Sequence, residues 1–152
     1  MIPNGYAQVI PRLFMGSAPP CGTDLSGRFD VLVLCAREYQ PPGSCFPGVE
    51  VVHCPLDDAG FPPTVAELKL AQSVAGYVLK HLSKRHRVLV TCQLGKNRSG
   101  LVVGMVLRHS GMRGYEAVGA VRAARGQRAL SNRWFMKALI GSSPRAALSA
   151  SP

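Results

Sequence analysis

Acidic residues are scarce in this chain: its 152 residues carry 8 Asp and Glu against 18 Lys and Arg, for a net charge of +10 at pH 7. Long apolar runs are missing too. The longest uncharged one, Leu101–Leu107, is far too short for a bilayer, so no membrane span is expected. The opening "MIPNGYAQVIPRLF" lacks the basic and apolar regions of a signal peptide. No Cys-x-x-Cys occurs. The five cysteines (Cys21, Cys35, Cys45, Cys54, Cys92) are odd in number and irregularly spaced, which speaks against a zinc site and against a disulfide framework. Free thiols in a reducing, cytoplasmic compartment (or the nucleus, in a eukaryote) are the expectation, and no metal or cofactor is called for.

What is present suits a globular protein: 47% hydrophobic and 17% charged residues are not the values of a disordered chain. The charge is lopsided. Between Arg87 and Arg145 stand eleven Lys and Arg and a single acid, Glu116. Such a half attracts anions such as phosphoproteins, phosphoinositides or RNA, unless it is simply a solvated basic face.

"DVLVLC" (30–35), "EVVHC" (50–54) and "RVLVT" (87–91) are short β-branched runs with little polar alternation, as in strands buried on both faces of a parallel sheet. "AQVI" and "LFMG" near the N-terminus predict a leading hairpin. Thr64 and Glu67 form a capping box before a helix whose inward face is Leu68, Ala71, Ala75, Val78 and Leu82. Further helices are predicted from near Arg98 to before Gly111, over 114–124 with Ala117, Val118, Val121 and Ala124 inward, and over 132–140. The expected fold is one α/β domain, with a mostly parallel sheet of about five strands flanked by helices, over 1–141. The remainder, "SSPRAALSASP" (142–152), is expected to be a disordered tail.

The chemistry concentrates in "RVLVTCQLGKNRSGLVVG" (87–104), where a buried strand delivers Cys92 to a loop closed by Arg98. Five cysteines and 13 arginines produce about 0.4 such Cys-x5-Arg pairs by chance; demanding Gly95 and Ser99 as well lowers that to about 0.004. A short loop between a strand and a helix start can aim successive N–H groups at one centre, and Gly95 permits the tight path. The same dipoles favour a thiolate at Cys92. Arg98 offers a planar fork of donors to phosphate oxygens. A thiolate in an anion cradle is set up for displacement at phosphorus. Cys54 also ends a strand, but Gly60 stands six places on, and Cys54 is expected to be plain core.

"VLVTCQLGKNRSG" resembles the signature loop of the cysteine-dependent protein tyrosine phosphatases, and the short chain resembles their small dual-specificity branch. "VIPRLFMGSAPP" is similar to that branch's opening strands, "VVHCPLDDAG" to its acid loop, and "AVRAARGQRALSNRWFMKAL" to its C-terminal helices. The resemblance implies Cys92 as nucleophile and phosphate binding by the backbone of Gln93, Leu94, Gly95, Lys96, Asn97 and Arg98 together with the Arg98 guanidinium. It implies Ser99 as an aid to hydrolysis of a phosphocysteine. Thr91 departs from it, standing where the family usually has a histidine that orders the loop and tunes the thiolate; a threonine there can still hydrogen-bond nearby backbone.

Expelling an alkoxide or phenoxide needs a proton donor. Asp57 and Asp58 are adjacent candidates in "HCPLDDAGFPP", and either can instead solvate or cap the loop. The acid loop it resembles places its aspartate at Asp58. Asn132 stands where the family often has an asparagine supporting the phosphate loop; capping the last helix accounts for it equally well. Arg122, Arg125 and Arg128 either flank the mouth of the site or form the wet face of a helix, the latter being favoured.

The expected activity is hydrolysis of phosphate monoesters on phosphorylated proteins, phosphotyrosine and also phosphoserine or phosphothreonine. Lys96 resembles the loop lysine of phosphoinositide phosphatases, and Asn97 the loop asparagine of RNA 5′-triphosphatases. A non-catalytic phosphate-binding module ranks lowest, and no stable nucleic-acid partner is expected.

Overall fold

A computed structural model of the chain describes residues 5–141. The expected boundary at 141/142 and the tail beyond it lie outside the described residues. The elements are β1 (Ala7–Ile10), β2 (Leu13–Ser17), β3 (Val31–Ala36), β4 (Glu50–Leu56), α1 (Val65–Ser83), β5 (Val88–Cys92), α2 (Arg98–His109), α3 (Gly114–Arg125) and α4 (Arg133–Ile140). The five strands form one sheet in the order β1-β2-β5-β3-β4. Only the hairpin pair β1–β2 is antiparallel; the others run parallel.

The two central strands explain their own composition. Every residue of "VLVLCA" in β3 and "VLVTC" in β5 is buried, since each strand is paired on both edges and covered on both faces. The two coverings differ. Val31, Val33, Cys35, Val88, Val90 and Cys92 point into a core shared with all four helices, through residues such as Ala71, Val78, Leu101, Val121, Phe135 and Leu139. Leu32, Leu34 and Leu89 point the other way, against Tyr6, Leu25, Phe29 and Phe46 from the hairpin and loops.

That side, covered by loops and a short 3-10 turn (Gly43–Cys45) rather than by α-helices, corrects one expectation. Cys21 and Cys45 form a disulfide across 24 residues, joining the two loop segments that cover this face. Spacing could not reveal it, because the two cysteines meet only once β2, β3 and β4 have placed their loops side by side. Cys35, Cys54 and Cys92 are free and buried.

On the other face, α1 carries the expected capping box at Thr64 and Glu67 and buries Ala71, Ala75, Val78 and Leu82, while Leu68 is half-buried. α2 is buried from Arg98 to Arg108, a central helix under α1, α3 and α4. α3 buries Ala117, Val118 and Val121, with Ala124 half-buried. The parallel strands thus bring β3, β4 and β5 to one carboxyl edge, and the β5–α2 loop emerges there beside the loops that follow β3 and β4.

Candidate active site

The loop from Cys92 to Arg98 is packed down on its neighbours before any ligand is considered. Gly95 has φ +67°, a left-handed conformation that disfavours any side chain. A Cβ there would also lie 2.4 Å from the carbonyl carbon of Gly16 in β2. Gly16 is equally confined, since its own Cβ would lie 2.7 Å from Tyr6 Cδ1. Two glycines on different elements therefore let the loop rest directly on the sheet. Ala18 N–H donates to the Cys92 carbonyl at 2.9 Å and holds the strand end.

The loop's carbonyls are held from outside. Arg125 of α3 donates from Nε to the Gly95 carbonyl at 2.9 Å and from Nη2 to the Leu94 carbonyl at 3.1 Å. Its Nη1 donates to the Gly5 carbonyl. Leu130 N–H donates to the Lys96 carbonyl at 3.2 Å. In a trans peptide the N–H points opposite to the C=O, so these contacts turn the N–H groups of Gly95, Lys96 and Asn97 to the side away from Arg125 and Leu130. α2 begins there with no side chain capping its first turn, which leaves its terminal N–H groups for an anion.

A cavity of about 460 Å³ opens over this loop, lined by Cys92, Gln93, Leu94, Lys96, Asn97 and Arg98, and by Asp58, Arg128 and Ser131 from other segments. Cys92 is buried at its floor, with Sγ 3.3 Å from Ser99 Oγ. Arg98 is only 8% exposed. Its Nη1 and Nη2 meet the two carboxylate oxygens of Glu38 at 2.5 and 2.8 Å, and Nη1 also donates to the Leu56 carbonyl at 3.1 Å. Hydrogen bonds from Arg98 hold the Glu38 carboxyl down to about 2, and Glu38 in turn raises the Arg98 guanidinium. The Arg98 Nε is buried without a hydrogen-bond partner among the described residues.

The two adjacent aspartates part company. Asp58 lines the cavity, with Oδ1 accepting from Asn132 Nδ2 at 2.7 Å and Oδ2 from Asn97 Nδ2 at 3.0 Å. Asp57 turns outward to Arg37 Nε at 2.9 Å, and its backbone N–H donates to Glu67 Oε2 at 2.9 Å. Glu67, the capping-box acid of α1, thereby also anchors the start of the loop that follows β4. The Asn132 side chain caps α4, its Oδ1 accepting from the N–H groups of Trp134 and Phe135, while its Nδ2 reaches Asp58 rather than the Cys92 loop.

Thr91, in the place of the usual histidine, donates its hydroxyl to the Val33 carbonyl at 2.9 Å within the sheet. The arginines of α3 overturn a reading of that helix face as wet. Arg122 donates to the carbonyls of Ala129 and Leu130 and Arg125 to those of the Cys92 loop, while Arg128, just beyond α3, lines the cavity. Glu38 was not visible as a site residue. The signal available was an acid placed two residues after a buried parallel strand, hence on the same edge as the Cys92 loop.

No protein-family model matches the chain, and neither does any curated protein sequence. Solved structures do. Human DUSP28 is 25% identical, covering 92% of this chain and 95% of its own at a TM-score of 0.73. A mouse putative dual specificity phosphatase is 23% identical over 99% and 94%, with a TM-score of 0.74. Tk-PTP in its active form is 24% identical over 91% and 95%, also at 0.74. All three matches span more than nine-tenths of both chains.

Proposed function

The chain has the fold of the small dual-specificity branch of the protein tyrosine phosphatase superfamily, and from that premise we propose that it hydrolyses phosphate monoesters through a phosphocysteine. The observation that carries the proposal is the convergence of Cys92, Arg98 and Asp58, from β5, α2 and the loop after β4, on one cavity.

The phosphoryl oxygens sit among the N–H groups of Gln93 to Arg98 and the free Nε of Arg98, which neutralise charge as it builds in the transition state. The Cys92 thiolate attacks phosphorus in line and the P–O bond to the leaving group breaks, the departing oxygen taking a proton from Asp58. A water then attacks the phosphocysteine, giving its proton to the Asp58 carboxylate. The S–P bond breaks as Ser99 Oγ donates to the emerging thiolate, and inorganic phosphate leaves. Cys92 supplies the electron pair and Asp58 the proton, so no cofactor enters.

The substrate class favoured is phosphorylated protein, on phosphotyrosine and on phosphoserine or phosphothreonine. A second, more apolar groove lined by Ala18, Pro20, Ala36 and Tyr39, with Glu38 on its wall, meets the cavity at Gln93 and suits a peptide side chain beside the phosphate. A second reading rests on Lys96 and Arg128, two cations on the cavity wall that favour a polyanion such as a phosphoinositide or a triphosphate-ended RNA.

A panel of phosphotyrosine peptide, phosphoserine peptide, phosphoinositide and triphosphate-ended RNA decides between them by relative kcat/KM, the peptides being expected to lead. Cys92→Ser is expected to abolish turnover of all four while still binding the preferred one. Turnover surviving in Cys92→Ser would sink the mechanism, and a wild-type protein that binds phosphate without any turnover would make it a binding module.

A further inference from the structure

The side chain of Asn97 does something that its place in the loop does not require. A phosphate cradle uses the Asn97 backbone; the side chain leaves the loop and reaches the carboxylate of Asp58, 39 residues away, at 3.0 Å. The direction of that hydrogen bond is set by the rest of the network. Asn97 Oδ1 accepts from the backbone N–H of Asn132 at 3.0 Å and lies 3.4 Å from Ser131 Oγ, so the amide oxygen is committed and the amide nitrogen must face Asp58. Asn132 repeats the logic, its Oδ1 being spent on the N–H groups of Trp134 and Phe135. Each oxygen of Asp58 thus receives one N–H from an amide whose orientation is locked by backbone.

We infer that Asn97 is a positioning residue that holds Asp58 over the Cys92 loop, coupling the anion cradle to the proton donor. This rests on Asp58 being the general acid. Asn132 and Trp134 grip the same loop from α4, the indole Nε1 donating to the Gly60 carbonyl at 3.3 Å. Asn97 alone among these belongs to the cradle: its backbone N–H faces the anion while its side chain faces the acid. A serine or alanine at this place is too short to reach Asp58.

The inference is tested with Asn97→Ala, Asn97→Ser and Asp58→Asn on two aryl phosphates, 4-nitrophenyl phosphate, whose leaving group departs with little help, and phenyl phosphate, whose leaving group needs a proton. For Asn97→Ala and Asn97→Ser the loss in kcat/KM is expected to be at least about fivefold greater on phenyl phosphate, while inhibition by inorganic phosphate stays within about threefold of wild type. In an Asp58→Asn background, Asn97→Ala is expected to add no further leaving-group dependence, because the two substitutions remove one function. If Asp58→Asn sensitises the enzyme to the leaving group but the Asn97 variants lose equally on both substrates, Asn97 only shapes the loop; the inference is overturned and the role of Asp58 stands. If Asp58→Asn is no more leaving-group sensitive than wild type, Asp58 is not the acid and both readings fall. Melting temperature identifies a variant that does not fold, and Asn97→Ser, which retains a polar side chain, then carries the comparison.

Discussion

Glu38 clasps Arg98 with both carboxylate oxygens, one on each terminal nitrogen of the guanidinium, at 2.5 and 2.8 Å. The two residues are 60 positions apart and meet because β3 and β5 run parallel and adjacent. Arg98 is nearly buried, so the clasp fixes the plane of its fork before substrate arrives. Removing the carboxylate charge by Glu38→Gln leaves that fork less constrained. KM for an aryl phosphate is expected to rise about tenfold with a smaller fall in kcat, read from steady-state kinetics. The stability cost is expected to be only about 1 kcal/mol by urea unfolding, since the Glu38 side chain is 49% exposed and solvent screens the pair.

The same clasp has a pH signature. Arg98 lowers the Glu38 carboxyl from the ordinary 4.5 to about 2. Because the folded value is the lower one, the clasp's stabilisation is present above about pH 4.5 and is lost as pH falls toward 2. Glu67 shifts in the same direction: burial raises it, but hydrogen bonds from the backbone of Thr64 and Asp57 and from the Thr64 side chain outweigh that and lower it. The stability difference between wild type and Glu38→Gln is therefore expected to be constant from pH 6 to 8 and to shrink below about pH 4.5. A difference that grows on acidification would contradict the clasp.

Gly95→Ala tests the seat of the loop. The new methyl would meet the Gly16 backbone at 2.4 Å in a residue with φ +67°, so neither the conformation nor the space is available. A loss of at least ~2 kcal/mol by thermal or urea unfolding is expected, together with loss of phosphate binding. Gly60→Ala is the matched control: nothing lies within 4 Å of a Cβ there, and its stability is expected to stay within ~0.5 kcal/mol of wild type.

The Cys21–Cys45 disulfide is open to a direct count. Protein purified without reductant and then denatured is expected to titrate three thiols, those of Cys35, Cys54 and Cys92, and five after reduction. Replacing both Cys21 and Cys45 by serine is expected to cost ~3.5 kcal/mol, the loop-closure value for a bridge across 24 residues. Five thiols before reduction would return the chain to the all-reduced reading of its composition.

Much of the frame is legible in the sequence. β3, β4 and β5 showed themselves as apolar runs without polar alternation; the structure buries both central strands throughout, whereas β4, at the sheet edge, leaves Glu50 and His53 exposed instead of buried on both faces. Thr64 and Glu67 marked the start of α1 because a capping box is local chemistry, complete within four residues. The Cys92 loop, too, was visible through Cys92, Gly95 and Arg98, whose places in it depend on spacing along the chain.

What spacing cannot express was decided by the tertiary structure. The helices gather on one face of the sheet while a disulfide staples loops over the other. Asp57 and Asp58 are chemically alike and adjacent, and only packing sends one to Arg37 and the other into the cavity. Arg125 and Arg128 are two basic residues of one stretch, yet one is consumed by the carbonyls of the loop and the other faces the mouth. Glu38 and Arg98 meet across two strands. Local order is written in neighbouring residues, whereas hydrogen-bond partners and net burial depend on groups brought together from 20 to 120 positions away. The sequence by itself determined that a buried strand delivers Cys92 to a loop closed by Arg98; the fold decided which acid, which arginine and which asparagine face that loop.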